Sequence, residues 1–314
     1  MNFLLLRRKL KHWYDTHRRD LPWRRTRDPY AIWISEIMLQ QTRVAAAIPY
    51  YEKFLGRFPG VGELAAASET EVLAHWSGLG YYSRARNLYR AAKAIAEAGA
   101  FPKEYEAIRA LPGIGDYTAA AVGSIAFGLP HAVVDGNVKR VAARLANDAL
   151  VDVQDVATRL MDRDDPAASN QALMELGALV CLPKTPLCSQ CPVAGLCGAK
   201  KHGTQAELPA KKARRATERL ARTLLVIRRS GKVLVVPGEK VLGFWDLPEP
   251  FRGAEAGDVL GVFRHTILHR QYTYKVREGI AKRVPLNSHW WSAGSGHEIP
   301  LSTTAKKALR CLQH

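Results

Sequence analysis

The sequence predicts a mainly α-helical protein that carries a small α+β domain at its C-terminus. Residues 1–198 of the 314 are rich in Ala and Leu, and their apolar residues recur at three-to-four spacing, as in residues 72–76. Over residues 223–314, short β-branched stretches alternate with turn residues. Residues 199–222 contain many Lys and Arg and predict a basic linker between these two domains.

The overall charge favours a polyanionic partner. Lys and Arg total 46 against 29 Asp and Glu, which gives a formal net charge of +17. Nucleic acid is the first candidate for such a partner, and a membrane surface is the second. The sequence has no apolar run of about 18 residues or more. The apolar residues 3–6 are too few for a signal-peptide core, and the basic residues 7–9 follow them instead of preceding them. We therefore expect a soluble, intracellular, cytoplasmic protein with no membrane partner.

A glycine-rich turn lies between two helical stretches. Residues 111–115 read Leu-Pro-Gly-Ile-Gly and separate the predicted helices over 104–110 and 116–127. Gly113 and Gly115 allow a tight turn and a close approach of a nucleic-acid backbone. The N-terminus of the second helix exposes N–H groups that suit a phosphate. An ordinary helix–helix turn is the alternative interpretation.

Two acidic residues of the helical domain have unusual sequence contexts. Asp135 directly precedes a helical stretch, so its side chain is expected to cap that helix. Glu36 lies inside a helical stretch among apolar neighbours, namely Ile32, Trp33, Ile37 and Met38. The helix surface around Glu36 therefore has only a narrow polar stripe, which would leave the carboxyl group partly desolvated. Such a carboxyl group has a raised pKa and can donate a proton near neutral pH. A solvated Glu on a helix face is the alternative.

Four of the five cysteines are clustered between the helical domain and the linker. They are Cys181, Cys188, Cys191 and Cys197. Prolines and glycines between them exclude a long helix, so the segment predicts a compact loop around a metal site. Disulfide pairing fits poorly in a protein without secretion features. A zinc site built from four cysteines usually has two Cys-x2-Cys knuckles, and only one is present. A [4Fe–4S] cluster takes four Cys thiolates as its normal ligands.

The C-terminal domain shows strand patterns and one helix pattern. Residues 223–227 and 233–236 predict two strands joined by a hairpin turn over 228–232. The alternation of residues 272–276 predicts another strand, and residues 303–312 predict a short helix.

Several sequence strings occur together in a fixed order. They are LPW at 21–23, SEIMLQQT at 35–42, GLGYYSRARNL at 78–88, LPGIG at 111–115, VVDGNVKR at 133–140 and the cysteine loop. Together they resemble the MutY-type adenine DNA glycosylases of the endonuclease III, or helix-hairpin-helix, superfamily. The resemblance is strong over residues 10–198 and weaker beyond, where the chain is similar to the Nudix-like domain of that family. It implies a two-lobed helix-hairpin-helix glycosylase core with a [4Fe–4S] loop, followed by a Nudix-like lesion-recognition domain.

The resemblance also implies a base-excision repair reaction. Members remove adenine mispaired with 8-oxoguanine or guanine in double-stranded DNA and leave an abasic site. Glu36 falls at the general acid/base that protonates adenine, and Asp135 falls at the carboxylate that stabilises an oxocarbenium-like sugar, as in other glycoside cleavages. Relatives that also cut the DNA backbone carry a Lys where this chain has Tyr117, so we expect a monofunctional enzyme. Some thymine-removing relatives share this Tyr but lack the Glu.

Further residues match functional positions of the family. Trp23, Arg24 and Glu175 match positions that line the adenine pocket of the family. Gln41 and Tyr81 match residues that wedge into the duplex. Gly113 and Gly115 match the phosphate-binding hairpin, and the four cysteines match the cluster ligands. The resemblance implies a monomer that acts on nucleoid DNA.

The lesion-reading loop departs from the family pattern. A loop with Phe-Ser-His is matched by residues 263–269, where His269 is kept but Ile267 and Leu268 replace Phe and Ser. Leu268 cannot make the hydrogen bonds of a Ser, so we expect a smaller preference for 8-oxoguanine over guanine. Two alternatives remain, namely a thymine or pyrimidine glycosylase of the same fold and a non-catalytic iron–sulfur DNA-binding protein.

Overall fold

The computed structural model divides the chain into two compact units. The first unit contains Met1–Ala66 and Asn87–Lys212, and the second contains Ala67–Arg86 and Ala213–His314. The ranges that the structure describes are 1–210, 216–238, 243–267, 269–292 and 299–312. Among the described residues, no helix is long and apolar enough to cross a membrane.

The described chain is mainly helical, as predicted. Its helices are α1 Phe3–His17, α2 Pro29–Leu39, α3 Val44–Arg57, α4 Val61–Ala66, α5 Glu69–Trp76, α6 Ser83–Ala98, α7 Tyr105–Arg109, α8 Asp116–Phe127, α9 Gly136–Ala146, α10 Val153–Leu160, α11 Pro166–Leu179, α12 Gly198–His202 and α13 Thr303–Arg310. Helix α5 and the first turn of α6 belong to the second unit, together with α13. Short 3-10 turns cover Pro22–Arg24, Cys188–Gln190 and Ala194–Leu196.

The core of the first unit contains a cluster built by α1, α9, α10 and α11. Its largest buried side chains include Leu6, Trp13, Tyr14, Leu145 and Leu176. These residues recur at three-to-four spacing in their helices, so each helix turns one apolar face inward. Partly buried Cys181, Cys191 and Cys197 pack against the same cluster, which places the cysteine loop on this core.

Helix α2 is apolar on nearly all sides. Asp28 caps it by accepting hydrogen bonds from the backbone N–H groups of Tyr30 and Ala31 at 3.1 and 3.3 Å, and Pro29 occupies the first turn. Residues 30–38 are all buried, and α2 packs against α8 and α3. A helix that is apolar all round lies in a protein interior, and Glu36 is carried into that interior with it.

The glycine-rich turn forms a helix-hairpin-helix between α7 and α8, as predicted. Gly113 has φ +77°, and a Cβ there would lie 2.4 Å from the Cβ of Asn87, so only glycine fits. Gly115 is extended, precedes α8 as its N-cap residue, and has no atom within 4 Å of a hypothetical Cβ. The two glycines therefore have different roles: Gly113 permits the turn, and Gly115 leaves open space at the start of α8.

The second unit is built on a mixed sheet with the strand order β3-β2-β1-β5-β4, and β6 also pairs with β2. Its strands are β1 Glu218–Arg229, β2 Lys232–Pro237, β3 Trp245–Asp246, β4 Ala254–Ile267, β5 Arg270–Ala281 and β6 His289–Trp291. Strands β1 and β5 run parallel, and the other pairs are antiparallel. Helix α13 covers one face of the sheet, with Ala305 and Ala308 in the core beside Leu224, Tyr274 and Val276.

The strands and the final helix confirm the sequence predictions in kind, with shifted ends. The turn between β1 and β2 contains only Ser230 and Gly231, both with positive φ, as a tight hairpin requires. The stretch 199–222, predicted as a linker, contains most of α12 and the start of β1, because Ala199 is fully buried and β1 pairs with β5 from Glu218 onwards. Part of that stretch, 211–215, lies outside the described residues.

The predicted lesion-reading loop is mostly strand. Strand β4 continues to Ile267 and pairs in register with β5, which begins at Arg270. Only positions 268 and 269 separate the two strands, so residues 263–267 are not a loop. The prediction of a loop there is wrong, because these residues pair with β5 although β4 does not alternate cleanly between apolar and polar side chains. Leu268 lies outside the described residues.

Candidate active site

The buried carboxyl group of Glu36 is the centre of the candidate site. Its residue is 6% exposed on helix α2. Burial is the largest cause that raises the pKa of Glu36 to about 7, and the nearby negative charge of Asp135 acts in the same direction. A hydrogen bond from Tyr117 and the positive charge of Arg24 act in the opposite direction. The expectation of a desolvated carboxyl is therefore confirmed.

Tyr117 contacts this carboxyl group directly. It lies in the first turn of α8, and its hydroxyl donates a hydrogen bond of 2.7 Å to Oε2 of Glu36. The Sδ of Met174 lies 3.8 Å from the same hydroxyl. Burial and the neighbouring Glu36 raise the pKa of Tyr117 well above its ordinary value, so the phenol stays protonated and acts as a donor. The hairpin thus presents a hydrogen-bond donor, and not an amine, at this position.

Asp135 caps helix α9, as predicted. Its Oδ1 accepts a hydrogen bond of 2.7 Å from the backbone N–H of Val138, and its Oδ2 accepts one of 2.9 Å from Nδ2 of Asn137. Burial raises the pKa of Asp135 above its ordinary value, and these hydrogen bonds oppose the rise. The capping role leaves the carboxyl group on the wall of the cavity that Glu36 also lines. One carboxylate can therefore both cap the helix and face a ligand.

A chain of hydrogen bonds leads from Asp135 to the cysteine loop. Asn137 donates to Asp135 and accepts a hydrogen bond of 2.8 Å from Nη2 of Arg140. Nε of Arg140 donates to the backbone oxygen of Cys181 at 2.7 Å, and its Nη2 also donates to the carbonyl of Gly177. The position of Asp135 is thus linked through two side chains to the first residue of the cysteine loop.

Glu175 is the third carboxyl group of the same cavity, and its two oxygens are fully paired. Oε1 accepts hydrogen bonds from the backbone N–H and the Nε of Arg19, both at 2.9 Å, and Oε2 accepts one of 2.6 Å from its Nη2. Arg24 adds two more, at 2.9 and 3.0 Å. Burial alone would raise the pKa of Glu175, but the hydrogen bonds from Arg19 and Arg24 outweigh it and lower the pKa to about 2. Glu175 is therefore ionised at neutral pH, whereas Glu36 is poised to be protonated.

These groups line one cavity of about 240 Å³ in the first unit. Its walls include Trp23, Arg24, Glu36, Tyr117, Asp135 and Glu175, together with Arg19, Asn137, Gln171 and Met174. Trp23 packs edge-on against Tyr51 with ring centroids 5.3 Å apart, which fixes the apolar wall of the cavity. The structure thus brings together the predicted acid, the predicted second carboxylate, the hairpin tyrosine and the predicted pocket residues.

Gln41 lies outside this cavity lining. It is exposed on the turn after α2 and has φ 57°, a conformation that is strained for a residue with a side chain. In the second unit, Tyr81 is 46% exposed on the turn between α5 and α6 and has φ 48°. The guanidinium carbon of Arg84 lies 5.5 Å from the centre of the Tyr81 ring and 5.3 Å from that of Trp76. Both predicted wedge residues therefore occupy strained, solvent-facing turns.

His269 lies in the turn at the tip of the β4–β5 hairpin. Its backbone oxygen accepts a hydrogen bond of 3.0 Å from the N–H of Glu218, and its side chain is half-buried. It belongs to the second unit.

The four clustered cysteines are free thiols held close together. All are partly buried. Burial, with the proximity of the other three, raises the pKa of Cys191 to about 11, and burial also raises the pKa of Cys197. Among the described residues, no group of three or more His, Cys, Asp or Glu side chains is arranged to hold a single metal ion.

Arg144 lies against the cysteine loop and is 2% exposed. Its Nη1 donates to Sγ of Cys181 at 3.3 Å and to the carbonyl of Leu182 at 2.7 Å, and its Nη2 donates to the carbonyl of Pro183. Within the described part of the chain, no carboxylate forms an ion pair with this buried cation. An anionic group bound by the thiols would compensate its charge, so the donor set fits an anionic metal–thiolate cluster.

Comparison with known proteins identifies the family. Residues 34–163 match the model of the HhH-GPD superfamily of base excision DNA repair proteins. The adenine DNA glycosylase of Buchnera aphidicola subsp. Baizongia pistaciae (strain Bp) is 35% identical over 254 residues, which cover 78% of this chain and 72% of that protein. The chain belongs to the adenine DNA glycosylase family of the HhH-GPD superfamily.

Other members of this family and other solved structures agree with that assignment. The human adenine DNA glycosylase is 47% identical over 221 residues, which cover 64% of this chain and 40% of the human protein, so the chain spans well under half of that relative's length. A thermostable thymine-DNA glycosylase superposes with a TM-score of 0.60 at 30% identity, over 64% of this chain and 97% of that one. A structure of endonuclease III trapped as a covalent intermediate with DNA has a TM-score of 0.55 at 24% identity, over 64% of this chain and 95% of that one, and shows the same fold.

Three residues of the candidate site were not predicted from the sequence. Arg19 shares Glu175 with Arg24, Asn137 holds Asp135, and Met174 contacts Tyr117. A buried carboxylate such as Glu175 needs a cation, but five basic residues between positions 18 and 27 make the partner ambiguous in sequence. Asn137 follows Asp135 by two positions, a spacing that side-chain pairs at a helix start can use.

Proposed function

We propose that this chain is a monofunctional adenine DNA glycosylase. It hydrolyses the N-glycosidic bond of adenine opposite 8-oxoguanine or guanine in duplex DNA and leaves an abasic site. One observation carries the proposal: a carboxyl group with a pKa of about 7, on Glu36, lines the same cavity as the helix-capping carboxylate of Asp135. A proton donor and a carboxylate on one cavity are the two groups that cleavage of a glycosidic bond requires.

Glu36 is assigned to protonation of the leaving base. Adenine departs poorly as an anion, so a proton on a ring nitrogen lowers the barrier. A pKa of about 7 leaves about half of the Glu36 side chains protonated at neutral pH, so the group can transfer a proton near physiological pH. The hydrogen bond from Tyr117 to Oε2 fixes the orientation of the carboxyl group and leaves Oε1 as the atom that faces the base. The target base must first leave the stack, because the bond is inaccessible within the duplex.

Asp135 is assigned to the sugar. Its carboxylate stabilises the positive charge that develops on the deoxyribose as the bond to the base breaks. The hydrogen bonds from Val138 and Asn137 hold this charge in place before the reaction, which lowers the reorganisation needed in the transition state. Tyr117 occupies the hairpin position at which a Lys would attack the sugar, so no Schiff base forms there and the reaction ends at the abasic site.

The remaining residues are assigned to recognition. Trp23 and the Arg24–Glu175 pair form the walls against which the extruded base packs. Gln41 and Tyr81, on strained exposed turns, wedge into the duplex. The hairpin with Gly113 and Gly115 binds a phosphate at the N-terminus of α8.

The cysteine loop is assigned to a [4Fe–4S] cluster. Cys181, Cys188, Cys191 and Cys197 would hold it, and when bound it would tie the loop covalently to the end of α11. The buried Arg144 beside Cys181 favours an anionic occupant.

The second unit is assigned to lesion recognition as a Nudix-like domain, with His269 near the base opposite adenine. Because Ile267 and Leu268 replace Phe and Ser, the preference for 8-oxoguanine over guanine is smaller than the family pattern implies. The protein acts as a monomer on nucleoid DNA in the cytoplasm.

A base-release assay tests this function. Duplexes with A opposite 8-oxoguanine, G, C or T, and with T opposite G, are incubated with the protein, and free bases and strand scission are measured separately. We expect free adenine from the 8-oxoguanine and guanine duplexes and no strand cut until alkali is added. Release of thymine with no adenine would favour the thymine glycosylase alternative, for which the 30% identity to a thymine-DNA glycosylase is the specific observation. Binding without release of any base would favour the non-catalytic alternative.

A further inference from the structure

Asn170 is a buried polar residue outside the cavity, and its amide group is fully hydrogen-bonded. It lies in α11 and is 4% exposed. Its Oδ1 accepts a hydrogen bond of 3.0 Å from the N–H of Val133. Its Nδ2 donates to the backbone oxygen of His131 at 2.9 Å and to Oγ of Ser124 at 3.0 Å. A side-chain amide has one oxygen and two N–H donors, so all three have partners and only this orientation of the amide satisfies them.

The segment that Asn170 binds has no regular structure of its own. Residues 129–135 connect α8 to α9 without a helix or a strand. The amide pairs with the C=O of His131 and the N–H of Val133, which are the groups that a neighbouring β-strand would pair with. Buried backbone N–H and C=O groups without hydrogen-bond partners cost free energy. The Asn170 side chain provides the partners that a neighbouring β-strand would otherwise provide. Asp135 follows Val133 by two residues and lies at the end of this segment.

The other contacts of Asn170 lead to the opposite wall of the active site. Ser124 lies in α8, the helix that begins with the hairpin and carries Tyr117. Met174, one turn after Asn170 in α11, lies 3.8 Å from the Tyr117 hydroxyl that is bonded to Glu36. Asn170 therefore joins the segment that ends at Asp135 to the two helices that position Tyr117.

We propose that Asn170 is a positioning residue that sets the location of the Asp135 carboxylate relative to Glu36 and the sugar. The inference rests on the proposed function. Asn170 touches none of the groups that react, so its effect on catalysis passes through the backbone of residues 131–133. An error of about 1 Å in a catalytic group costs on the order of a hundredfold in rate.

The test compares Asn170→Ala with a control and with a partial variant. The control, Leu64→Ala, removes a fully buried apolar side chain from α4 and destabilises the fold at a residue outside the core cluster that contains Ala132. Ser124→Ala removes one of the three partners and leaves the pairing with His131 and Val133 intact. If Asn170→Ala does not fold, Asn170→Asp takes its place, because it retains the shape and the acceptor for Val133 but lacks the amide donors when ionised.

The readout uses two duplexes with sugar analogues at the adenine position. One contains a positively charged pyrrolidine, and the other a neutral tetrahydrofuran. The ratio of their dissociation constants measures how well the Asp135 carboxylate faces a cationic sugar, and a change in the folded fraction alters both constants equally. Single-turnover adenine release is measured in parallel.

We expect the parent protein and Leu64→Ala to prefer the cationic analogue to the same degree, within about threefold, whereas Ser124→Ala, which loses only the hydrogen bond to α8, should lose less of this preference than the Asn170 variants. Asn170→Ala, or its Asp replacement, should reduce this preference by about tenfold or more and slow adenine release by about a hundredfold. A preference that stays within about twofold of the parent value in the Asn170 variants overturns the inference. A parent protein without any preference contradicts the role of Asp135 in the proposed function instead, so the two failures are distinguishable.

Discussion

The burial of Glu36 lowers the stability of the folded protein when the carboxyl group is ionised. A carboxyl group whose pKa is raised by burial is easier to protonate in the folded state than in the unfolded state. Deprotonation therefore costs the folded protein free energy. Tyr117 reduces the cost by donating a hydrogen bond to the carboxylate.

The first prediction concerns the chemistry of Glu36. Glu36→Gln retains an oxygen that accepts from Tyr117 but cannot donate an acidic proton. We expect adenine release to fall by about a hundred- to ten-thousandfold in single-turnover assays, with DNA affinity within about threefold of the parent value. Glu97→Gln, an exposed substitution on α6 in the same unit, is the matched control and should leave the rate unchanged. A Glu36→Gln variant that releases adenine at the parent rate would exclude this residue as the acid.

The second prediction concerns pH. The unfolded pKa of Glu36 is 4.5 and the folded one is about 7, so the folded state binds more protons between these values and stability falls as pH rises through this window. The full penalty, about 3 kcal/mol, is present above pH 7 and absent below 4.5. Glu36→Gln should therefore stabilise the protein at pH 8 relative to the parent and do so much less at pH 5. The measurement is the free energy of unfolding in urea at both pH values; an equal difference at the two would show that Glu36 titrates normally.

At the scale of elements, the site depends on where helices begin. Asp135 caps α9, Tyr117 lies in the first turn of α8, and Arg24 ends a 3-10 turn before α2. Helix starts were readable from the sequence because caps and tight turns require particular residues. The long β4–β5 hairpin was missed, because its central residues do not alternate cleanly between apolar and polar side chains.

The third prediction tests the hairpin with its two glycines. Gly113→Ala forces a side chain into φ +77° and into contact with Asn87, so we expect a loss of stability of about 1–3 kcal/mol and weaker DNA binding. Gly115→Ala meets no atom within 4 Å, so it should retain the melting temperature of the parent while still hindering the approach of a phosphate. The measurements are the melting temperature and the dissociation constant for duplex DNA of each variant. Unchanged DNA affinity in a folded Gly115→Ala variant would show that no backbone comes close to this glycine.

At the scale of the whole molecule, the net charge of the protein and the side chains of the candidate site have different roles. The net charge of +17 supplies attraction for any duplex, whereas the groups assigned to recognition of the base lie in a cavity of the first unit. The lining of that cavity combines residues far apart in sequence, from Arg19 to Glu175.

The fourth prediction follows from this separation. The dissociation constant for duplex DNA should rise steeply with salt, by about a thousandfold or more between roughly 50 and 200 mM, because phosphate contacts release counterions. A duplex with T in place of the target A is the matched control. It should bind more weakly but with the same slope of log Kd against log salt, since phosphate contacts carry no sequence information. A slope of log Kd against log salt near zero for either duplex would contradict binding that is driven by phosphate contacts.

The sequence by itself determined the helical class, the hairpin, the cap at Asp135, the burial of Glu36 and the clustering of the cysteines. Each of these follows from local rules of periodicity, turn geometry and spacing. Only the tertiary structure decided that Tyr117 donates to Glu36, that Arg19 joins Arg24 on Glu175, and that Asn170 ties the segment before Asp135 to α8. These contacts join residues separated by tens to more than a hundred positions. Which residues meet depends on how the helices pack against one another, and the spacing of residues along one helix does not predict that packing.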